Sequence, residues 1–216
     1  MELRQTWATV GSKVIVKKRI VKAAAILICA VSAPAFADHA YIEFDAVENM
    51  ILSGSFDTVI PKPEGARIGG PEHSTPSFLS EDLKVSKAGF FADDQFIMVQ
   101  IETTNAPKGT LTNKTLPVYE LAGQEFRART ICMDISQQEL DADDDPLFEF
   151  IELQSVQIVP AVQAVQLFAT TDDGTGIGTI LYMRNVPGGY ASITPTFQAE
   201  FNGAFERFIE SIRNAN

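Results

Sequence analysis

The chain holds only two cysteines and two histidines in 216 residues, few basic side chains, and no apolar run long enough to span a bilayer. Each shortage removes a class of protein. A membrane-crossing helix needs about 20 consecutive apolar residues, and none is present. Cysteines this scarce give neither a disulfide scaffold nor paired zinc ligands. With only His39 and His73, a Ser-His-Asp or Cys-His arrangement has almost no source for its general base, and H-E-x-x-H is absent. Internal repeats and low-complexity tracts are also missing, which excludes solenoids and disordered linkers. Lys+Arg number 17 against 28 Asp+Glu, a net charge of −11. Such a surface repels phosphate backbones and anionic lipid, so neither nucleic acid nor membrane surface is an expected partner.

Residues 1–37 read as a secretory signal peptide. Lys17, Lys18, Arg19 and Lys22 form a basic segment, the apolar run Ala23 to Val31 follows, and Ala35-Phe36-Ala37 is an A-x-A cleavage signature. Cys29 sits behind Ile26-Leu27-Ile28, which lacks the small-residue context of a lipid-attachment site, so no membrane anchor is expected after cleavage. The expected location is periplasmic or secreted. Cleavage would remove six basic residues and one acid, leaving residues 38–216 with 11 bases against 27 acids, net −16. That length buries a sizeable core without staples, and a single globular α+β domain is expected over 38–216. Cys132 remains as the sole thiol; its flanks Thr130-Ile131 and Met133 predict a buried, inert side chain.

Hydrophobic periodicity sets the elements. Gln95 to Thr103 alternates with apolar residues on both faces, which predicts a strand central in a sheet. Leu116 to Leu121 and Glu125 to Ile135 predict one hairpin. Val162 to Thr171 and Ile177 to Val186 predict another around Asp172-Asp173-Gly174-Thr175-Gly176, where Asp-Gly favours reversal. Tyr41 to Phe44 and Ile51 to Val59 read as shorter strands, separated by a helical turn at Asp45 to Met50. Thr194 as cap, Pro195 at the first helical position, and Phe197, Phe201, Phe205, Phe208 and Ile212 at spacings of three and four predict a closing amphipathic helix. Its apolar stripe requires a sheet to pack on. Pro61 to Ser80, broken by four prolines and three glycines, is expected to be a long loop. The pattern predicts an antiparallel β-sheet with a C-terminal helix packed on one face, and no motif singles out a family.

The densest charge lies in Asp141-Ala142-Asp143-Asp144-Asp145-Pro146 and onward to Glu149 and Glu152. Asp141, Asp143, Asp145, Glu149 and Glu152 fall at positions one, three, five, nine and twelve of a calcium loop. Position six, where a sharp turn needs glycine, is Pro146, whose ring fixes φ near about −65°. An alternative is that Asp145 caps a helix starting at Pro146. From Thr130 through Met183 there are ten acids and no Lys or Arg. Solubility explains this blandly; electrostatic steering of a basic partner explains it more sharply.

Other candidate sites are thinner. Glu72-His73-Ser74 has no nucleophile-elbow glycines around its serine. Asp38-His39 at a free amine could chelate copper. Asp93-Asp94 and Asp172-Asp173 are carboxylate pairs of the kind glycosidases use. Arg127, Arg129 and Arg184 could converge on an anion, and Gly174-x-Gly176-x-Gly178 lacks the spacing and lysine of a phosphate loop. The expected function is therefore binding of a basic protein partner through Asp141, Asp143, Asp144, Asp145, Glu149 and Glu152 together with the loop at Pro61 to Ser80, in an accessory, chaperone-like or toxin-neutralising role. A calcium-dependent structural or adhesion protein is the second expectation, and a hydrolase on an unrecognised site the third.

Overall fold

A computed structural model describes residues 41–54, 56–75, 83–105, 115–134, 150 and 161–216. The expected signal peptide and Asp141, Asp143, Asp144, Asp145, Glu149 and Glu152 lie outside the described residues. Three short strands, β1 (Ile42–Phe44), β2 (Met50–Leu52) and β3 (Thr58–Ile60), form an antiparallel sheet in that order. Seven longer strands form a second antiparallel sheet: β4 (Arg67–Ser74), β5 (Lys84–Phe91), β6 (Gln95–Thr103), β7 (Val118–Leu121), β8 (Gln124–Asp134), β9 (Ala161–Thr170) and β10 (Gly176–Asn185). Their spatial order is β4-β5-β6-β10-β9-β8-β7. Helix α1 (Pro195–Ala215) completes the α+β architecture.

The register explains the core. Ile97 pairs with Tyr182, which pairs with Val165; Val99, Ile180 and Leu167 form the next row. These residues share one face and are buried. Phe201, Phe205, Phe208, Ile209 and Ile212 of α1 pack on that face, within one core cluster that also holds Ile42, Met50, Leu52 and Phe56. The helix and the small sheet therefore cover the same side of the large sheet. Tyr182 is the aromatic centre, its ring 5.6, 5.5 and 5.3 Å from those of Phe201, Phe205 and Phe208. On the opposite face Phe91, Phe96, Met98, Leu181 and Met183 form a second cluster with Phe150. The expectation of a two-faced central strand at Gln95–Thr103 is met: β6 lies between β5 and β10.

Helix α1 starts as its sequence predicts. The Thr194 hydroxyl accepts from the Phe197 N–H at 3.2 Å, satisfying one of the donors a helix start leaves open, and Pro195 follows. At the other end Asn216 accepts from the Val59 N–H at 2.8 Å and donates to the Val59 carbonyl at 2.9 Å, tying the helix end to β3.

Four expectations require correction. The predicted loop Pro61 to Ser80 contains β4, because Gly69-Gly70-Pro71 is absorbed as a bulge on an edge strand, where a missing N–H is tolerated. The expected strand Ile51 to Val59 divides into β2 and β3, and the helical turn expected at Asp45 to Met50 is a non-helical turn over 45–49 that leads into β2 at Met50. In that turn the Asp45 carboxylate accepts from the Val47 and Asn49 N–H groups, both at 2.9 Å. Cys132 is exposed instead of buried, since β7 pairs with β8 only as far as Arg127 and leaves the Cys132 end without that neighbour; partial desolvation still raises its thiol pKa. One strand, β5, carries no local signal in the sequence. Its Val-Ser-Lys-Ala-Gly run breaks apolar alternation, yet Ser86, Lys87 and Ala88 are all buried.

Two backbone details lead to stability predictions. The β7–β8 hairpin turns on Ala122 and Gly123, at φ 53° and 78°. Positive φ at both central residues suits Asn-Gly rather than Ala-Gly. Ala122→Asn should raise unfolding free energy by about 1 kcal/mol in a urea titration. A Cβ placed on Gly178 would lie 2.9 Å from the buried Phe56 ring. Gly178→Ala should therefore lower stability by about 1–3 kcal/mol in the same assay.

Candidate functional site

Two regions carry unusual chemistry, at opposite ends of the large sheet. At one end the β7–β8 and β9–β10 turns lie together, joined where the Gln124 side chain donates to the Thr170 carbonyl at 3.4 Å. Glu120 and Glu125 stand directly opposite each other across the β7–β8 pair, both exposed. Like charges so placed are destabilising, partly offset by Arg127, 3.9 Å from Glu125. Asp172 and Asp173 are exposed on the neighbouring turn. The Asp173 carboxylate accepts from the Thr171 hydroxyl at 2.6 Å, the Thr175 N–H at 3.0 Å and the Thr175 hydroxyl at 2.8 Å. Those bonds hold its pKa down to about 2, the Thr171 hydroxyl contributing most. Asp173 is thus an anion at any ordinary pH. The expected reversal at Asp-Gly is present, and its rigidity comes from these two threonines.

At the other end the helix face of the sheet turns polar. Cys132, Gln163, Arg184 and Gln95 occupy one row across β8, β9, β10 and β6. Gln163 is fully buried and donates to Gln198 at 2.8 Å, which donates to Asn202 at 2.8 Å. Arg184 Nε donates to Asp94 Oδ2 at 3.1 Å, its NH1 lies 3.8 Å from Glu200, and its guanidinium carbon is 5.3 Å from the Phe197 ring centre. Beside it opens a cleft of about 410 Å³. Ala199, Gly203 and Ala204 of α1 are its small-residue side, and Arg207 lines it farther along the helix.

The other sequence-derived candidates do not assemble. In β4, Glu72 pairs with Lys87, His73 with Ser86 and Ser74 with Val85, so strand alternation sends His73 to the face opposite Ser74 and Glu72. Arg127 and Arg129 lie on the face opposite Arg184, with β9 between their strands, so the three arginines form no common anion site. Asp93-Asp94 and Asp172-Asp173 occupy turns at opposite ends of the sheet. His39, and with it the copper reading, lies outside the described residues. Among the described residues no group of three or more His, Cys, Asp and Glu is placed to hold a metal ion. Sequence reasoning missed the Asp94–Arg184–Glu200–Arg207 cleft, because Glu200 and Arg207 read simply as the wet side of α1. Gly203 was the available signal: a glycine inside a helical pattern weakens it by about 1 kcal/mol and marks a close approach or a site. No protein-family model matches the chain, and no curated protein or solved structure is significantly similar to it.

Two residues before Arg184 on the same face of β10, the Tyr182 hydroxyl is buried without a hydrogen-bond partner among the described residues. Burial pushes its pKa up to about 12, against a smaller opposite pull from Arg184 and Arg207. The unfolded phenol ionises near pH 10 and the folded one holds its proton to about 12, so over that window the unfolded state binds fewer protons and stability falls as pH rises. Tyr182→Phe removes an unsatisfied group. It should match or exceed the parent's stability at pH 7 by about 1 kcal/mol, and melting curves should show a shallower decline between pH 10 and 12.

Proposed function

We propose that the chain is an exported protein that acts by binding, and that its partner is a basic protein recognised through negative surface. The observation that carries this reading is the stretch from Thr130 to Met183, ten acids with no compensating Lys or Arg. Two features support it. Phe150, within that stretch, is buried 6.0 Å from Phe91 of the large sheet. Asp172 and Asp173 add exposed charge on a turn stiffened by Thr171 and Thr175. A negative surface raises the encounter rate with a basic partner and opposes acidic ones. An accessory, chaperone-like or toxin-neutralising role fits that chemistry. The alternate carboxylates Asp141, Asp143, Asp145, Glu149 and Glu152 favour a second reading, calcium-dependent folding or adhesion.

Both readings are separated by one set of material. The full-length gene carrying a C-terminal tag, and the triple variant Asp143→Lys, Asp144→Lys, Asp145→Lys, are expressed and used to capture proteins from native extract at low and high salt. Basic proteins should be retained by the parent at low salt, released at high salt where screening shortens to about 3 Å, and lost by the variant. Retention indifferent to charge reversal would remove the proposal. Calcium dependence would appear as a melting temperature several degrees higher with calcium than with chelator, absent in the variant.

A further inference from the structure

The cleft bordered by Asp94, Arg184, Glu200 and Arg207 differs electrostatically from the chain around it. The protein as a whole carries −11, whereas these two carboxylates and two guanidinium groups cancel. Arg184 is committed through Nε to Asp94, but its 3.8 Å approach to Glu200 is too long for a hydrogen bond, which leaves donors available beside the cleft. Arg207 makes no hydrogen bond or ion pair among the described residues. Its NH1 lies 3.6 Å from the point a Cβ on Gly203 would occupy, so the guanidinium rests along the helix at the level of Gly203. That level is three residues, about 4.5 Å, along the axis from Glu200. The absence of a side chain at Gly203 and the methyls of Ala199 and Ala204 keep the intervening surface low.

We propose that this cleft binds a small zwitterion of the free dipeptide class, its ammonium beside Asp94 and Glu200 and its carboxylate on the Arg207 guanidinium. The arginine fork matches a carboxylate with two parallel donors. A simple anion would meet Glu200 and the acidic field of the whole chain, and a simple cation would meet two arginines; a ligand carrying both charges satisfies both ends. Length selects among zwitterions. The helix rise of about 4.5 Å from Glu200 to Gly203 exceeds the about 3.5 Å of one extended residue and lies within the about 7 Å of two, which favours a dipeptide over a free amino acid. The volume, about 410 Å³, lies within the range of small-molecule clefts and leaves room for both ligand side chains. This inference does not depend on the acidic surface having a partner.

The test is calorimetric titration of the purified protein with alanyl-alanine, its N-acetylated form, its C-terminal amide and free alanine, alongside amide and arginine Nε NMR spectra. Alanyl-alanine should bind saturably with a dissociation constant below about 1 mM and shift Gly203, Arg184 and Arg207. Each blocked form and free alanine should bind at least tenfold more weakly. Arg207→Met should lose binding at least tenfold. Gly203→Leu, a better helix former, should melt no lower than the parent while losing binding. The proposal is overturned by an absence of saturable binding, by equal binding of the acetylated form, the amide or free alanine, or by unchanged affinity in both variants.

Discussion

The β6–β10 pair is apolar on both faces, and most of the molecule is arranged to keep water from it. Ile97, Val99, Ile180 and Tyr182 point to one side, Phe96, Met98, Leu181 and Met183 to the other. A sheet with one wet face could stand with a single cover; this one needs two. The first cover is composite, α1 beside the three-stranded sheet, and the two are fastened where Asn216 meets Val59. On the second side Phe150 enters the cluster from a segment otherwise dominated by carboxylates.

The legibility of the fold in the sequence followed the strength of local patterns. β6, the two hairpins β7–β8 and β9–β10, and the capped helix are written in short-range signals: alternation, Asp-Gly, and Thr194-Pro195 before a phenylalanine stripe. β4 and β5 are written in none. β4 carries two glycines and a proline that as a string suggest a loop, and they become a strand only because β5 supplies a partner and the bulge falls at an edge. β5 has a lysine and a glycine where alternation asks for apolar residues. Gly89 is there because the Phe91 ring lies 2.8 Å from where its Cβ would be, a long-range packing fact that no local window contains. The acidic run was legible as charge from composition alone. The cleft was not, since Asp94, Arg184, Glu200 and Arg207 come from three separated elements and acquire meaning only through register and helix crossing.

Charge and neutrality are separated in space. The turns at one end of the large sheet expose Glu120, Glu125, Asp172 and Asp173, and Asp173 is held ionised by its threonine neighbours. At the opposite end acids and bases alternate around Arg184, itself held between Asp94, Glu200 and the Phe197 ring. A field that is repulsive to anions overall can coexist with a recess of no net charge because Asp94 and Glu200 are matched there in number by Arg184 and Arg207.

The strand order has a consequence for how the chain reaches this state. β4-β5-β6 and β7-β8-β9-β10 are two sequential meanders, each able to form from neighbours in the chain, and they meet only where β6 pairs with β10, Thr103 finding Gly176. Closing so long an intervening segment is entropically late. Until it happens each half presents an open edge whose residues are apolar above and below, the kind of edge that recruits foreign strands. The seam in the middle of the finished sheet is therefore the last border to close, and during folding it is the place where the protein is most exposed to its neighbours.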